Sequence, residues 1–570
     1  PFSGERFMQM LFDAMLSMGE LSNHRSLLPN NQPLKLHITL TDFFGYGRDV
    51  KLFDPAVITE REHRHVMEFT FLDKKTGQVE SHFSNEHIAS LAFAARGTSS
   101  YVGLFDPLSL DELKRVAHSR GLPIDTAIDF IAAQLTQGSV ADLAQRTFID
   151  GGVLNNKPFA AAIEAIQGRA ASRQVDRRLI YIEPRPTAAE PIAREQHAAP
   201  SYLGAIRHAL SLPRHEPIRD ELERLGERNQ RTGSIRTIIE RARPQVRASV
   251  KHLLGTTPIE DAQAAMIGSW REVCDAAAEH ESGFAYATYR DLRIRSLAET
   301  LRDAHPTIAN CETQLGDWLL GSKSSAQYAL MSIDTEYRRR RIQFLILRIN
   351  ELYRVSLNRS RRGALDSLKF ALYACIEEIG DIARRNVELD ANDPASVWVE
   401  QLRGSDELAA LDAKLDGLCA VMCSSDATES IRSEILYAYL GFPYFDVLTY
   451  PAAQWANLVE LDEVKVIRIS PSDANSIRAG DASTSLRGIE LNGFGAFFSR
   501  EYRENDYLWG RLHAGERLID LVAATTDNPE ALDIPALKRR LFTAILDEED
   551  QHLTAIPSER AAIRKRLTRI

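Results

Sequence analysis

Several features that mark particular classes of protein are missing from this 570-residue sequence. No uncharged apolar run reaches the ~18 residues of a membrane helix, so the composition is not that of a membrane-spanning bundle. Acidic residues (79) outnumber basic ones (69), and the net charge of −10 disfavours a dedicated nucleic-acid binder. No repeat of fixed period and no low-complexity tract occurs. The hydrophobic fraction of 44% is ordinary for a globular chain of about two to four domains.

Cysteine is scarce, and the five cysteines are odd in number and lie in helical-looking sequence. A disulfide scaffold is therefore disfavoured, and we expect a reducing compartment with buried free thiols. Cys419 and Cys423 stand four apart on one helix face, but no convincing second pair of ligands completes a metal site.

A targeting leader is also missing. The sequence opens at Pro1 rather than at methionine, and no basic-then-apolar segment follows. We therefore expect the natural start, and any targeting signal, to lie upstream of Pro1.

Residues 1–190 alternate predicted strands with predicted helices, which indicates an α/β layer architecture. The segment Leu34–Asp42 alternates strictly and predicts a strand whose leucine and isoleucine side chains face inward. Leu179–Ile182 is a continuous apolar run, typical of a buried parallel strand. Four prolines between residues 183 and 200 indicate a linker, which we place at 191–200. Residues 201–570 have mainly helical spacing, with a few short strands.

Asp150 is the strongest single candidate for chemistry. It ends a strand predicted from Thr147, and Gly151 and Gly152 follow it. Ligands of open α/β sheets bind outside the carboxyl ends of strands, and two glycines permit a tight turn and a close approach. A carboxylate there can accept a proton from a nucleophile or orient it. The alternative is a turn aspartate that hydrogen-bonds its own backbone.

Three segments of the first half resemble one family. Phe148–Pro158 (FIDGGVLNNKP) resembles the Asp-Gly-Gly segment of patatin-like phospholipases, and Ala94–Ser100 (AARGTSS) resembles that family's Ala-Arg-Ala-Thr-Ser segment. Thr41 and Asp42 match the end of the strand that precedes it. The order and separation of these segments also fit, and together they cover most of residues 1–185.

The second half resembles a helical C-terminal region that accompanies a bacterial subgroup of patatin-related proteins. The resemblance lies in Val464–Ser470, Gly493–Phe497 and Asp506–Leu512. Together the two resemblances imply an α/β fold class. Residues 1–190 would be the C-terminal part of a three-layer α/β/α patatin-like domain, followed by a mainly helical region.

The resemblance implies lipid acyl hydrolysis by a Ser–Asp dyad, in which Asp150 is the general base and no histidine, cofactor or metal takes part. Gly151 and Gly152 would shape the turn beside it. It also implies a phospholipid or other acyl lipid as substrate, no nucleic-acid partner, and a cytoplasmic location with membrane association as an open alternative.

The nucleophile, however, is missing. No serine of this chain stands in a Gly-x-Ser-x-Gly motif, and no glycine-rich oxyanion loop precedes Asp150. In the family both elements precede the region where this chain begins, so we expect an N-terminally truncated sequence. Whether the chain as given is an enzyme stays open, and the alternative is a non-catalytic patatin-like scaffold or regulatory interaction protein.

Three further clusters contain residue types that are found in binding sites. His63 and His65 alternate on a predicted strand, but the neighbouring arginines disfavour a metal and favour a solvated strand face. The four arginines 338–341 spread around a helix, which favours ion pairing over one phosphate-binding face. The acidic run 547–550 before His552 is typical of a solvated helix end.

Overall fold

The computed structural model describes residues 3–18, 28, 32–74, 78–166, 177–184, 219–304, 314, 317–318, 332–353, 359–383, 393–403, 406–425, 427–455, 463–480, 482–488, 495–526 and 529–568. The chain divides into two compact units. The sheet unit comprises Pro1–Ala165, Asp176–Arg219 and Val464–Ile570, and the helical unit comprises Ile166–Val175 and Asp220–Glu463. The linker predicted at 191–200 lies outside the described residues.

Seven strands are described, all in the sheet unit: β1 (Leu34–Lys51), β2 (Val57–Asp73), β3 (Val79–Ser81), β4 (Leu108–Ser109), β5 (Thr147–Asp150), β6 (Arg178–Ile182) and β7 (Lys465–Ile469). Its first helices are α1 (Gly4–Ser17), α2 (Ile88–Thr98), α3 (Leu110–Ser119), α4 (Asp125–Thr136), α5 (Val140–Ala144) and α6 (Phe159–Glu164).

The helical unit is built from α7 (Arg219–Leu254), α8 (Ala264–Ser282), α9 (Phe284–Ala304), α10 (Thr335–Leu352), α11 (Arg359–Ala383), α12 (Ala395–Arg403), α13 (Glu407–Cys423) and α14 (Glu429–Trp455). The chain then returns to the sheet unit with α15 (Gly495–Phe498), α16 (Arg500–Ala523), α17 (Ile534–Glu549) and α18 (Pro557–Leu567). The predicted mainly helical character of the C-terminal region is confirmed.

Helix starts follow local capping chemistry where the sequence offers it. Ser109 accepts a hydrogen bond from the Glu112 N–H at the start of α3. The Glu112 carboxylate binds the Arg96 side chain. Residues 85–87 form one turn of 3-10 helix before α2 begins.

The main sheet has the strand order β3-β2-β1-β5-β4, and every neighbouring pair is antiparallel. The alternation of strands and helices predicts α/β layers but does not predict this antiparallel pairing. The difference arises from β1 and β2, which form one long hairpin with no helix between them. A hairpin fixes antiparallel pairing, whereas a parallel pair needs a crossover connection.

The core of the sheet lies on the face from which Leu40, Met67 and Phe69 point, and α2 and α4 pack against these strands. The strand predicted from Leu34 is confirmed, but its inward-facing assignment is only half right. Leu40 is buried, whereas Leu34 and Leu36 are 45% and 38% exposed. Periodicity predicts which face a residue occupies, but it does not predict how far along the strand the helices extend.

A second, two-stranded sheet joins distant parts of the chain. β6 pairs in parallel with β7, from Arg178 opposite Lys465 to Ile182 opposite Ile469. The parallel pairing expected of this run is confirmed, but full burial is not. Leu179 is buried, whereas Ile182 is 67% exposed.

The helical unit encloses buried ion pairs within an apolar core. The sequence predicted that its four consecutive arginines would bind nearby acids, and this prediction is confirmed: Arg338 pairs with Asp412, Arg339 with Glu336, Arg340 with Asp446 and Arg341 with Asp275. The four described cysteines are free and buried, as expected; they are Cys274, Cys375, Cys419 and Cys423. Burial raises the pKa of Cys423 to about 11, so this thiol is unreactive at neutral pH.

Candidate functional site

Asp150 is the last residue of β5, as the sequence predicts. Its Cα lies opposite that of Leu40 in β1, and the Thr41 hydroxyl donates to the Asp150 carbonyl oxygen over 3.0 Å. The Asp150 N–H donates to the Ser100 carbonyl oxygen over 3.1 Å. The backbone of Asp150 is therefore held from both sides. Because β5 is antiparallel to both neighbours, the rule for parallel sheets that singled out this position does not apply to it.

The Asp150 side chain is half-buried, and its Oδ1 accepts a hydrogen bond from the Gly152 N–H over 2.8 Å. This is the turn-aspartate geometry that the sequence left as an alternative. The bond fixes the orientation of the carboxylate at the mouth of the turn. A general base needs such a fixed orientation as well, so the observed geometry is compatible with either role.

The packing around residue 151 leaves room for glycine only. A Cβ at this position would lie 2.1 Å from the carbonyl oxygen of Thr39, which belongs to the adjacent strand β1. A Cβ at Gly152 would lie 3.0 Å from Asp150 Oδ1, a close but less severe contact. The prediction that these glycines allow a close approach is confirmed for Gly151, and the approaching group is the protein's own backbone.

Arg96 supports the same turn from α2. Its side chain is completely buried, and its Nε donates to Glu112 Oε1 over 2.9 Å. Its guanidinium also donates to the Ser100 hydroxyl, and Ser100 Oγ in turn donates to the Arg96 carbonyl oxygen. Burial raises the pKa of Glu112, and the charge of Arg96 opposes that effect. The segment Ala94–Ser100 thus acts here as a positioning element for Asp150, through the Ser100 carbonyl.

Asp42 forms a separate buried cluster that the sequence did not predict. Its side chain is fully buried, and Oδ1 accepts hydrogen bonds from the backbone N–H groups of Phe44 and Gly45. Arg146 donates to Oδ2 over 2.7 Å. Burial alone would raise the pKa of Asp42, but the His65 ring, whose Nε2 lies 3.8 Å from Oδ2, and hydrogen bonds from the Gly45 N–H and Arg146 lower it to about 2. Asp42 is therefore an ionised structural anchor at the bend of β1.

His65 belongs to this cluster and not to a solvated strand face, so that prediction is wrong for it. The ring is buried and stacks on Tyr46, with 4.6 Å between centroids, because the bulge in β1 turns Tyr46 towards it. His63 Nδ1 lies 2.7 Å from the Asp42 carbonyl oxygen. Among the described residues, no group of three histidine, cysteine or acidic side chains could hold a metal ion.

The acidic run 547–550 is ion-paired and not merely solvated. Arg511 of α16 bonds to Glu548 and Glu549, and Arg564 of α18 bonds to Asp547 and Asp550. An open groove of about 490 Å³ lies beside it, lined by Arg503, Glu504, Tyr507, Arg511, Glu548, Glu549, His552 and Leu553. Asp150 does not line this groove.

The C-terminal segments that carry the second resemblance have separate structural roles. Val464–Ser470 contains β7, and Asp506 of α16 accepts the backbone N–H groups of Arg487 and Gly488. Trp509 is buried in the core between α16, α17 and α18. Part of Gly493–Phe497 lies outside the described residues.

Comparison with known proteins adds two matches. Residues 355–564 match a family described as "Protein of unknown function (DUF3376)". The chain is also similar to "Uncharacterized membrane protein Rv3479" of Mycobacterium tuberculosis (strain ATCC 25618 / H37Rv), at 31% identity over 87 residues. This match covers 15% of the chain and only 8% of the curated relative.

No solved structure matches the chain. Within the described residues, no helix has both the length and the apolar character needed to cross a membrane. The family match begins in the helical unit and ends in the sheet unit, at α18. It does not reach the Asp150 turn, so the family match and the candidate site concern different parts of the chain.

Proposed function

We propose that the first part of the sheet unit is the aspartate-bearing part of a patatin-like lipid acyl hydrolase. Asp150 would take the proton from a serine nucleophile as it attacks the ester carbonyl of a phospholipid or other acyl lipid. The proposal requires that serine to come from a segment outside these 570 residues. The dyad chemistry needs no cofactor and no metal.

The observation that carries the proposal is the construction of the Asp150 turn. The carboxylate stands at the end of β5 and its orientation is fixed by the Gly152 N–H. Gly151 lets the turn pack directly on the Thr39 carbonyl oxygen. The Ser100 carbonyl oxygen accepts the Asp150 N–H, so both segments that resemble the family converge on one residue.

The test uses the coding sequence upstream of Pro1 and the longest open reading frame that it defines. We expect an in-frame Gly-x-Ser-x-Gly, labelling of the longer protein by a fluorophosphonate, and hydrolysis of a p-nitrophenyl ester. Asp150→Asn should lower kcat/KM by about 10²–10⁴-fold, since the amide cannot take up the proton. Asp142→Asn, at an exposed position in α5, is the control and should keep its activity.

A scaffold or regulatory interaction protein is the second candidate. It is favoured by one observation, the lack of any Gly-x-Ser-x-Gly motif in the chain. An authentic start codon close to Pro1 would support it. Full activity of the Asp150→Asn variant in a fluorophosphonate-labelled longer protein would reject the assignment of the base.

A further inference from the structure

The β1–β2 hairpin continues well beyond the sheet. β1 pairs with β5 only at Leu40–Asp42. After the bulge, residues 46–51 pair only with residues 57–62 among the described strands, and we call this two-stranded segment with its turn the distal ribbon (residues 46–62). Residues 52–57 at its tip are all exposed. An isolated two-stranded ribbon is only marginally stable in water. A role in binding would explain why the hairpin extends beyond the sheet.

The apolar side chains of the distal ribbon are concentrated at its tip. Phe53 is completely exposed, and Leu52 and Val57 beside it are about half exposed. Three apolar side chains at one projecting end oppose the usual burial of such groups. Exposed apolar surface of this kind marks a contact site.

Charge along the distal ribbon is almost balanced. The basic residues are Arg48, Lys51 and Arg61, and the acidic residues are Asp49, Asp54, Glu60 and Glu62. Asp54 lies in the tip and Lys51 pairs with Val57 at its edge, and the other charged residues belong to strand pairs behind the tip. Electrostatic attraction between this ribbon and a strongly charged surface of either sign would therefore be weak. Binding would depend on the apolar tip.

We propose that the tip of the distal ribbon inserts into the interface of a zwitterionic phospholipid surface. This inference rests on the proposed function, because a lipid acyl hydrolase must reach its substrate at such a surface. The order of the side chains matches the depth profile of a bilayer interface. Phe53 and Leu52 would enter the boundary of the acyl chains, and the charged pairs behind them would stay among headgroups and water.

Vesicle binding by the 570-residue chain tests the inference. With phosphatidylcholine vesicles we expect co-flotation that persists from 0.1 to 0.5 M NaCl, because the ribbon is nearly neutral. Phe53→Asp should weaken binding at least tenfold. The matched control is Phe284→Asp, because Phe284 of α9 is 96% exposed but belongs to the helical unit; this variant should bind like the unsubstituted chain.

Depth of insertion is the second readout. In the Phe53→Trp variant, brominated phosphatidylcholine should quench more tryptophan fluorescence than it does in the unsubstituted chain. In the Phe284→Trp variant it should produce no such additional quenching. Equal binding by Phe53→Asp, or no quenching of Phe53→Trp, would overturn the inference. So would self-association that depends on Phe53 without vesicles, which would make a second copy the occupant.

A failure of the membrane-docking inference can be distinguished from a failure of the proposed hydrolase function. Asp150→Asn should bind vesicles normally, because Asp150 lies outside the distal ribbon. In the longer protein, binding through the ribbon without any Asp150-dependent hydrolysis would support the docking surface and reject the dyad. Hydrolysis of vesicle phosphatidylcholine that depends on Asp150 but not on Phe53 would support the dyad and reject the docking surface.

Discussion

The Asp150 N–H donates a hydrogen bond to the Ser100 carbonyl oxygen over 3.1 Å, which links the end of β5 to the end of α2. The two residues belong to segments that are widely separated in the sequence. Ser100 is held in turn by the buried Arg96. The position of the candidate base therefore depends on a guanidinium that does not need to touch a substrate.

Gly151→Ala should destabilise the sheet unit. The added Cβ would lie 2.1 Å from a backbone oxygen, and backbone cannot move aside as a flexible side chain can. We expect a loss of about 1–3 kcal/mol in the free energy of unfolding, measured by urea titration. Gly510→Ala in α16 is the control, because no atom of the described residues lies within 4 Å of its added Cβ. It should be neutral or slightly stabilising, and equal effects of the two changes would contradict this account.

Arg96→Met should cost about 3–5 kcal/mol of unfolding free energy, because it leaves the Glu112 carboxylate buried without its partner. The double variant Arg96→Met/Glu112→Met should recover part of that loss. Arg115→Met removes an exposed pair with Glu5 from the same unit and should change the free energy of unfolding little. A double variant that is no more stable than Arg96→Met alone would argue against a buried-charge penalty.

Acid should weaken the sheet unit through Asp42. Its pKa is about 2 in the folded protein against 3.8 for the ordinary group, so the unfolded chain binds the proton more readily. Ionised Asp42 therefore contributes about 2 kcal/mol to the free energy of unfolding. This contribution is fully present above pH ~5 and is lost as the pH falls towards 2. Asp42→Asn should flatten this part of the stability–pH curve. An unchanged slope in that variant would show that other carboxylates dominate.

The helical unit offers a comparable test at Asp446. Its carboxylate binds Arg340 over 2.9 Å and accepts the Tyr289 hydroxyl over 2.7 Å. Asp446→Asn should destabilise this unit by about 3–5 kcal/mol, since the Arg340 charge stays largely buried. Lys414→Met breaks an exposed pair with Glu378 and should change the midpoint of thermal unfolding little. Similar shifts in the two variants would contradict the role assigned to burial.

Asp42 also shows why sequence patterns reach only part of the candidate site. Alternation predicted β1, and the Asp-Gly-Gly pattern predicted the turn at Asp150, because both depend on neighbours in the sequence. The same patterns placed Asp42 at the end of a strand and gave no sign of its buried cluster. Its burial depends on Arg146, which folding brings from far along the chain, so no local pattern could reveal it.

The strand pairings also show that local sequence patterns do not reveal contacts between distant segments. β6 was predicted as a parallel strand, but its pairing with β7 was not, because most of the helical unit lies between them in the sequence. The hairpin of β1 and β2 was missed for a different reason. Both strands are much longer than their apolar alternation suggests, since most residues of the distal ribbon are exposed and carry no such signal.

The β6–β7 pair also imposes an order on biosynthesis. β6 leaves the ribosome early, but its partner emerges only after every helix of the helical unit has been translated. Domains generally fold as units during synthesis, at about 5–20 residues per second. The nascent sheet unit must therefore keep β6 unpaired with β7 for tens of seconds while an entire second unit is made and folds. Expression conditions that slow translation or deplete chaperones should harm this protein more than one whose domains are each continuous in sequence.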